Sequence, residues 1–143
     1  MDFIQIGNFT AGSLLGLLLG AFLGHALAIR RSKKQTTHVA AIEFKKIIFP
    51  ALDKLEQNEN QFEIIQNSFK EHYEAALNFS SYLSGKELSG FKEALANYKN
   101  WQNTMYGRST SEVFYNTNDP EYLNAQKIKP TVLIKELLKY ANT

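Results

Sequence analysis

Among the side chains able to do chemistry, His72 has the most suggestive neighbours, because Glu71 precedes it and Glu74 follows two residues on. An imidazole beside carboxylates is the arrangement of a general base or a pH sensor. The same residue lies on an apolar helical stripe, where a core-edge ring satisfied by one hydrogen bond is the competing reading. No second histidine stands three or four residues away, so the spacing for helix-borne zinc or di-iron is absent. His38 is isolated. His25 lies in an apolar run, where an ionisable group is a functional candidate if the run is in lipid, or an interfacial ring one turn from Arg30. The absence of cysteine removes disulfides, thiol catalysis and thiolate metal sites. A serine-nucleophile motif, a phosphate-binding glycine loop and a dinucleotide fingerprint are missing as well. The sequence therefore assigns no catalytic residue, no metal ligand and no cofactor, and it reads as non-enzymatic. An enzyme using His72 ranks last.

The elements that would position these groups begin with AGSLLGLLLGAFLGHALAI, Ala11 to Ile29. These 19 residues carry no charge if His25 is neutral, and Phe3 to Thr10 can lengthen the run. At 1.5 Å per residue they nearly span a hydrocarbon core of about 30 Å. A cleavable signal peptide fits poorly, because Asp2 rather than a cation precedes the run and RRSKK follows it directly. Arg30, Arg31, Lys33 and Lys34 on the C-terminal flank predict contact with lipid headgroups and a cytoplasmic C-terminus, with the N-terminus outside.

Within that run Gly12, Gly16, Gly20 and Gly24 recur every fourth residue, with Asn8 and Ala28 on the same ridge. Residues four apart share a helix face, so the glycines would form a groove without side chains. Lipid supplies no hydrophobic drive for helices to pair, and glycine permits the close van der Waals approach that must replace it. Three overlapping GxxxG steps predict a helix–helix contact, with a second copy or another membrane protein as partner.

The net charge of +2 is a misleading average. The four cations after the apolar run account for the excess, and from Thr36 on there are 12 Lys/Arg against 13 Asp/Glu. A nearly neutral domain has no electrostatic footprint for nucleic acid. Fifteen of the eighteen aromatic residues fall in this part, which supplies material for one modest core.

Helical spacing of Ala40, Phe44, Ile47, Ile48, Ala51 and Leu55 predicts a helix from Thr36 to about Leu55, kinked or broken near Phe49 by Pro50. Gln61 to Leu83 has the cleanest stripe, Phe62, Ile65, Phe69, His72, Ala76, Phe79 and Leu83, with Asn60 and Glu63 as a start signal. Ser84 and Glu87 at capping-box spacing, flanked by Leu83 and Leu88, predict a third helix from Gly85 to Met105 that Gly107 ends. Arg108 to Pro120 reads as loop, with a short extended piece at Val113 to Tyr115. Pro130 suits the first turn of a last helix carrying Leu133, Ile134, Leu137 and Leu138. The aromatics Trp101, Tyr106, Phe114 and Tyr115 mark a candidate partner surface, against the commoner use of helix-spaced aromatics as core.

The segment from Phe49 to Tyr98, with its histidine beside acidic residues and its Phe91, Ala94 and Tyr98 at FxxAxxxY spacing, resembles a family of uncharacterised small single-pass bacterial membrane proteins. The resemblance implies a bacterial, helical protein and brings no activity. The expected architecture is all-α. Residues 1–29 form the transmembrane segment with a short outside N-terminus, 30–37 a basic juxtamembrane linker, and 38–143 a cytoplasmic bundle of three to four helices. The expected function is a membrane-anchored interaction or scaffold module of the bacterial inner membrane. The alternative is an accessory subunit of a membrane complex or a small oligomeric pore.

Overall fold

A computed structural model describes residues 11–57, 60–107 and 119–142, with side chains from residue 16 onward. Among the described residues the chain forms five α-helices and no strand: α1 (Ala11–Glu56), α2 (Gln61–Ser80), α3 (Gly85–Tyr106), α4 (Pro120–Lys127) and α5 (Pro130–Lys139). It divides into two compact units, one ending at Gln35 and one beginning at Thr36.

The basic segment 30–37, expected as a linker, is part of the same helix. Of the kink or break expected near Phe49 the break is excluded, because Pro50 lies inside a helix that continues to Glu56. A proline there forfeits one amide bond and costs on the order of 3 kcal/mol. Its own ring is exposed, while Ile48, Ala51, Leu52 and Leu55 around it are buried in the core. That burial holds the last turns together, so packing overrides local propensity.

Among the described residues no helix is long and apolar enough to cross a membrane. The described side chains of the uncharged run extend from Gly16 to Ile29, about 21 Å of helix at 1.5 Å per residue, against a hydrocarbon core of about 30 Å.

In the unit from Thr36 onward the apolar stripes close on one another. Phe44 of α1 stacks on Phe79 of α2 with ring centroids 5.1 Å apart and meets Phe91 of α3 edge-on at 5.8 Å. Phe79 and Phe91 complete the triangle at 5.4 Å. α3 is the central element: its backbone passes close to α2, α4 and α5, burying Phe91, Leu95, Tyr98 and Trp101. The contribution of α1 comes through large side chains, which hold helix axes farther apart.

The caps follow the sequence unevenly. The Asn60 side chain accepts from the Glu63 amide, as its position before α2 predicts. Ser84 makes no side-chain capping bond to α3, which begins instead at Gly85 with φ +57°, a conformation that glycine adopts without steric cost. Gly107 does end α3, but with right-handed φ −80°. Its requirement for glycine is steric, because a Cβ there would sit 2.5 Å from the Asn103 carbonyl oxygen. α4 was not anticipated, although Asp119-Pro120-Glu121 carries its start signal: the Asp119 side chain accepts from the Glu121 amide at 2.9 Å, and Pro120 occupies the first turn. The extended piece expected at Val113 to Tyr115 lies outside the described residues.

Candidate functional site

The sequence points to two regions, the glycine-bearing start of α1 and the surroundings of His72. In the first, Gly16, Gly20 and Gly24 are helical and exposed, and a methyl group added at any of them would meet nothing within 4 Å. Gly12 belongs to the same helix, but its surroundings lie outside the described side chains. Leu17, Leu18, Leu19, Phe22, Leu23, Leu27 and Ile29 are all exposed, from 53% to 73%. His25 is exposed too, as are Arg30, Arg31, Lys33 and Lys34.

In the second region His72 is 1% exposed, on the inward face of α2. Its Nδ1 lies 3.1 Å from the hydroxyl of Tyr98 on α3, which is itself fully buried. The arrangement that leaves fewest orphans has the Tyr98 hydroxyl donating to Nδ1 and the ring proton on Nε2. Nε2 then has no partner among the described residues. Burial lowers the imidazole pKa to about 4, so the ring is neutral at pH 7. Burial also pushes the Tyr98 phenol upward, with a smaller push from Tyr106, so its proton stays in place. A neutral ring closed off from solvent, with a depressed pKa, fits the core-edge reading better than the general-base reading. Glu71 and Glu74, the neighbours that made His72 look reactive, both face solvent.

The proposed aromatic partner surface is corrected in part. Trp101 is 6% exposed, and its indole nitrogen donates to the Ala125 carbonyl at 3.0 Å, tying α3 to α4. A buried, satisfied indole is core material and offers nothing to a partner. Tyr106 is half-buried, with its ring edge-on to Trp101 at 5.6 Å and to Phe62 at 4.8 Å. Phe114 and Tyr115 lie outside the described residues. No group of three or more His, Asp or Glu that could hold a metal occurs among the described residues.

Sequence reasoning missed a groove of about 450 Å³ between the last turns of α1 and the first turns of α2. Lys46 and Lys54 on α1 and Glu63 and Glu71 on α2 contribute to its walls. Each follows ordinary surface spacing on its own helix, so no one-helix pattern announces the pair. Compared with models of protein families, with curated proteins and with solved structures, the chain finds no match.

Proposed function

We propose that the chain is a membrane-anchored helical interaction module without enzymatic activity. Its first helix crosses a bacterial inner membrane once, with the N-terminus outside, and its bundle stands in the cytoplasm. The observation carrying this reading is the exposure of seven large apolar side chains on nearly every side of α1 between Leu17 and Ile29. At 100° per residue they leave two sectors without a large apolar side chain, one of about 80° that holds Gly20 and Gly24 and one of about 100° that holds Ala21, His25 and Ala28, with Gly16 between Leu23 and Leu27 at the edge of the first. A helix that is apolar all round belongs in lipid or a core, whereas an amphipathic surface helix is apolar on one stripe. The sequence carries the uncharged run back to Ala11, for 19 residues and about 28 Å, close to the thickness required. Arg30, Arg31, Lys33 and Lys34 then fall where anionic headgroups lie and favour a cytoplasmic C-terminal side.

The open glycine sector supplies the interaction. Helices in lipid associate where small residues let backbones approach, so Gly16, Gly20 and Gly24 pair the helix with a second copy or with another membrane protein. In a membrane two-hybrid assay the pair Gly16→Ile and Gly20→Ile should reduce the self-association signal at least tenfold. An unchanged signal would end the self-association reading. A reporter fused after Thr143 should be active only in the cytoplasm, and periplasmic activity would refute the orientation.

A further inference from the structure

The turn between α2 and α3 is tied to the start of its own unit by one long-range bond. The Thr37 hydroxyl donates to the Tyr82 carbonyl at 3.2 Å, across 45 residues of sequence. The stacked pair Phe44 and Phe79 lies farther along the same two helices, as an antiparallel course requires. Tyr82 is 41% exposed, whereas every other described tyrosine is buried or half-buried. Leu77, on the last turn of α2, is 48% exposed. Between Asn78 and Gly90 the only charges are Lys86 and Glu87, which cancel, so the turn offers an aromatic surface rather than an ionic one.

With α1 anchored in a bilayer, chain connectivity alone brings this turn to the membrane surface. Thr37 follows Ile29 by eight residues of continuous helix, about 12 Å at 1.5 Å per residue. Headgroups occupy about 5–8 Å beyond the edge of the hydrocarbon core. A side chain beside Thr37 therefore has only a few ångströms to cover. Tyrosine concentrates at that level, because its ring is apolar while its hydroxyl stays hydrated.

We propose that the α2–α3 turn docks on the phospholipid surface, with the Tyr82 ring set among the headgroups. The unit from Thr36 onward thereby has a lipid contact of its own besides the anchor. The contact depends on the ring and not on charge, so it needs no anionic lipid. This inference rests on the membrane-anchored reading of α1, and its test separates the failure of one from the failure of the other.

The chain has no cysteine, so Phe22→Cys, Gln57→Cys and Ser81→Cys can each carry a single nitroxide label. All three positions are exposed. Electron paramagnetic resonance of the full chain in phosphatidylcholine nanodiscs compares collision with oxygen, which enriches in lipid, and with a water-soluble nickel chelate. Gln57, just past the far end of α1 and about 30 Å from Thr37 along the helix, is the aqueous reference. The oxygen-to-nickel ratio at Ser81→Cys should be at least threefold that at Gln57→Cys, and adding Tyr82→Ser should return it to the reference value. That variant keeps the bond from Thr37, which uses the main-chain carbonyl. A Ser81 ratio equal to the reference, with the Phe22 label in lipid, would overturn the docking and leave the anchor standing. Exclusion of both agents at Ser81 would mean a protein partner there and would overturn it as well, as would a ratio unchanged by Tyr82→Ser. A Phe22 ratio equal to the reference would refute the anchor, and the docking with it.

Discussion

The part of α1 before Gln35 and the unit from Thr36 onward are both helical and both rich in leucine and phenylalanine, yet they dispose these residues in opposite ways. In the first, leucines and Phe22 are exposed on successive turns and no acidic residue interrupts them. In the second, α1 buries Ala41, Phe44, Ile48, Leu52 and Leu55 on one face, while Glu43, Lys46, Asp53 and Lys54 are exposed. Glycine differs as well. Gly16, Gly20 and Gly24 border open space, whereas Gly90 in α3 lies under Tyr140, whose hydroxyl would clash with an added methyl group. Helix content therefore says little about the medium a segment belongs to. The polar residues decide it: their period of three to four marks a face for water, and their absence marks a segment that must find lipid or a partner.

Removing core volume should separate the two regions most sharply. Phe91→Ala should destabilise the bundle by about 3–5 kcal/mol, because its ring meets Phe44, Phe79 and Tyr140 and leaves a cavity among them. Leu18→Ala should leave bundle stability within about 0.5 kcal/mol. Denaturant unfolding of the full chain in micelles, followed by the fluorescence of Trp101, reads both. Equal losses would mean that the two regions do not differ as described.

A pH effect of about 3 kcal/mol comes next. The folded-state pKa of His72, about 4, lies below its ordinary value of 6.5, so the unfolded chain binds the extra proton first as pH falls. The stability associated with a neutral ring is therefore complete above pH 6.5 and is lost between about 6.5 and 4. Unfolding midpoints measured across that interval should fall more in the wild type than in the double variant His72→Leu/Tyr98→Phe, and parallel curves would contradict it.

Tyr98→Phe alone should cost about 1–3 kcal/mol, since it strands the second ring nitrogen of His72. Adding His72→Leu should recover much of that loss, because an apolar pair leaves no buried polar atom without a partner. A double-mutant cycle measures the coupling directly, and additive losses would show that the 3.1 Å contact contributes nothing. Smaller still, Pro50→Ala should raise stability by about 1 kcal/mol by restoring an amide donor at an exposed position inside α1. A drop in the thermal midpoint would mean that the proline geometry is itself required.

Much of the bundle was legible in local pattern. The stripe of α2, the Gly85 start of α3 and the Pro130 start of α5 all depend on residues within a few positions of one another. The continuity of α1 was not legible, because proline chemistry argues for a break and only the burial of Ala51, Leu52 and Leu55 argues against it. The His72–Tyr98 pair is separated by 26 residues, and each lay on an apolar stripe of its own helix, so nothing local joined them. Trp101 was misread for a related reason: an aromatic at helical spacing looks the same whether its outer side meets α4 or a foreign protein. The groove charges were invisible because a cavity is a property of two helices together.

The measurement that bears most directly on the whole account is alkaline carbonate extraction of native membranes, comparing the wild type with a chain carrying Leu18→Lys and Phe22→Lys. Charges near the centre of a membrane-spanning helix cost on the order of 3 kcal/mol each, so the wild type should stay in the membrane pellet and the double variant should be released. Recovery of the unmodified chain in the detergent-free supernatant would contradict the membrane anchor, and with it the function assigned to the glycine-bearing helix.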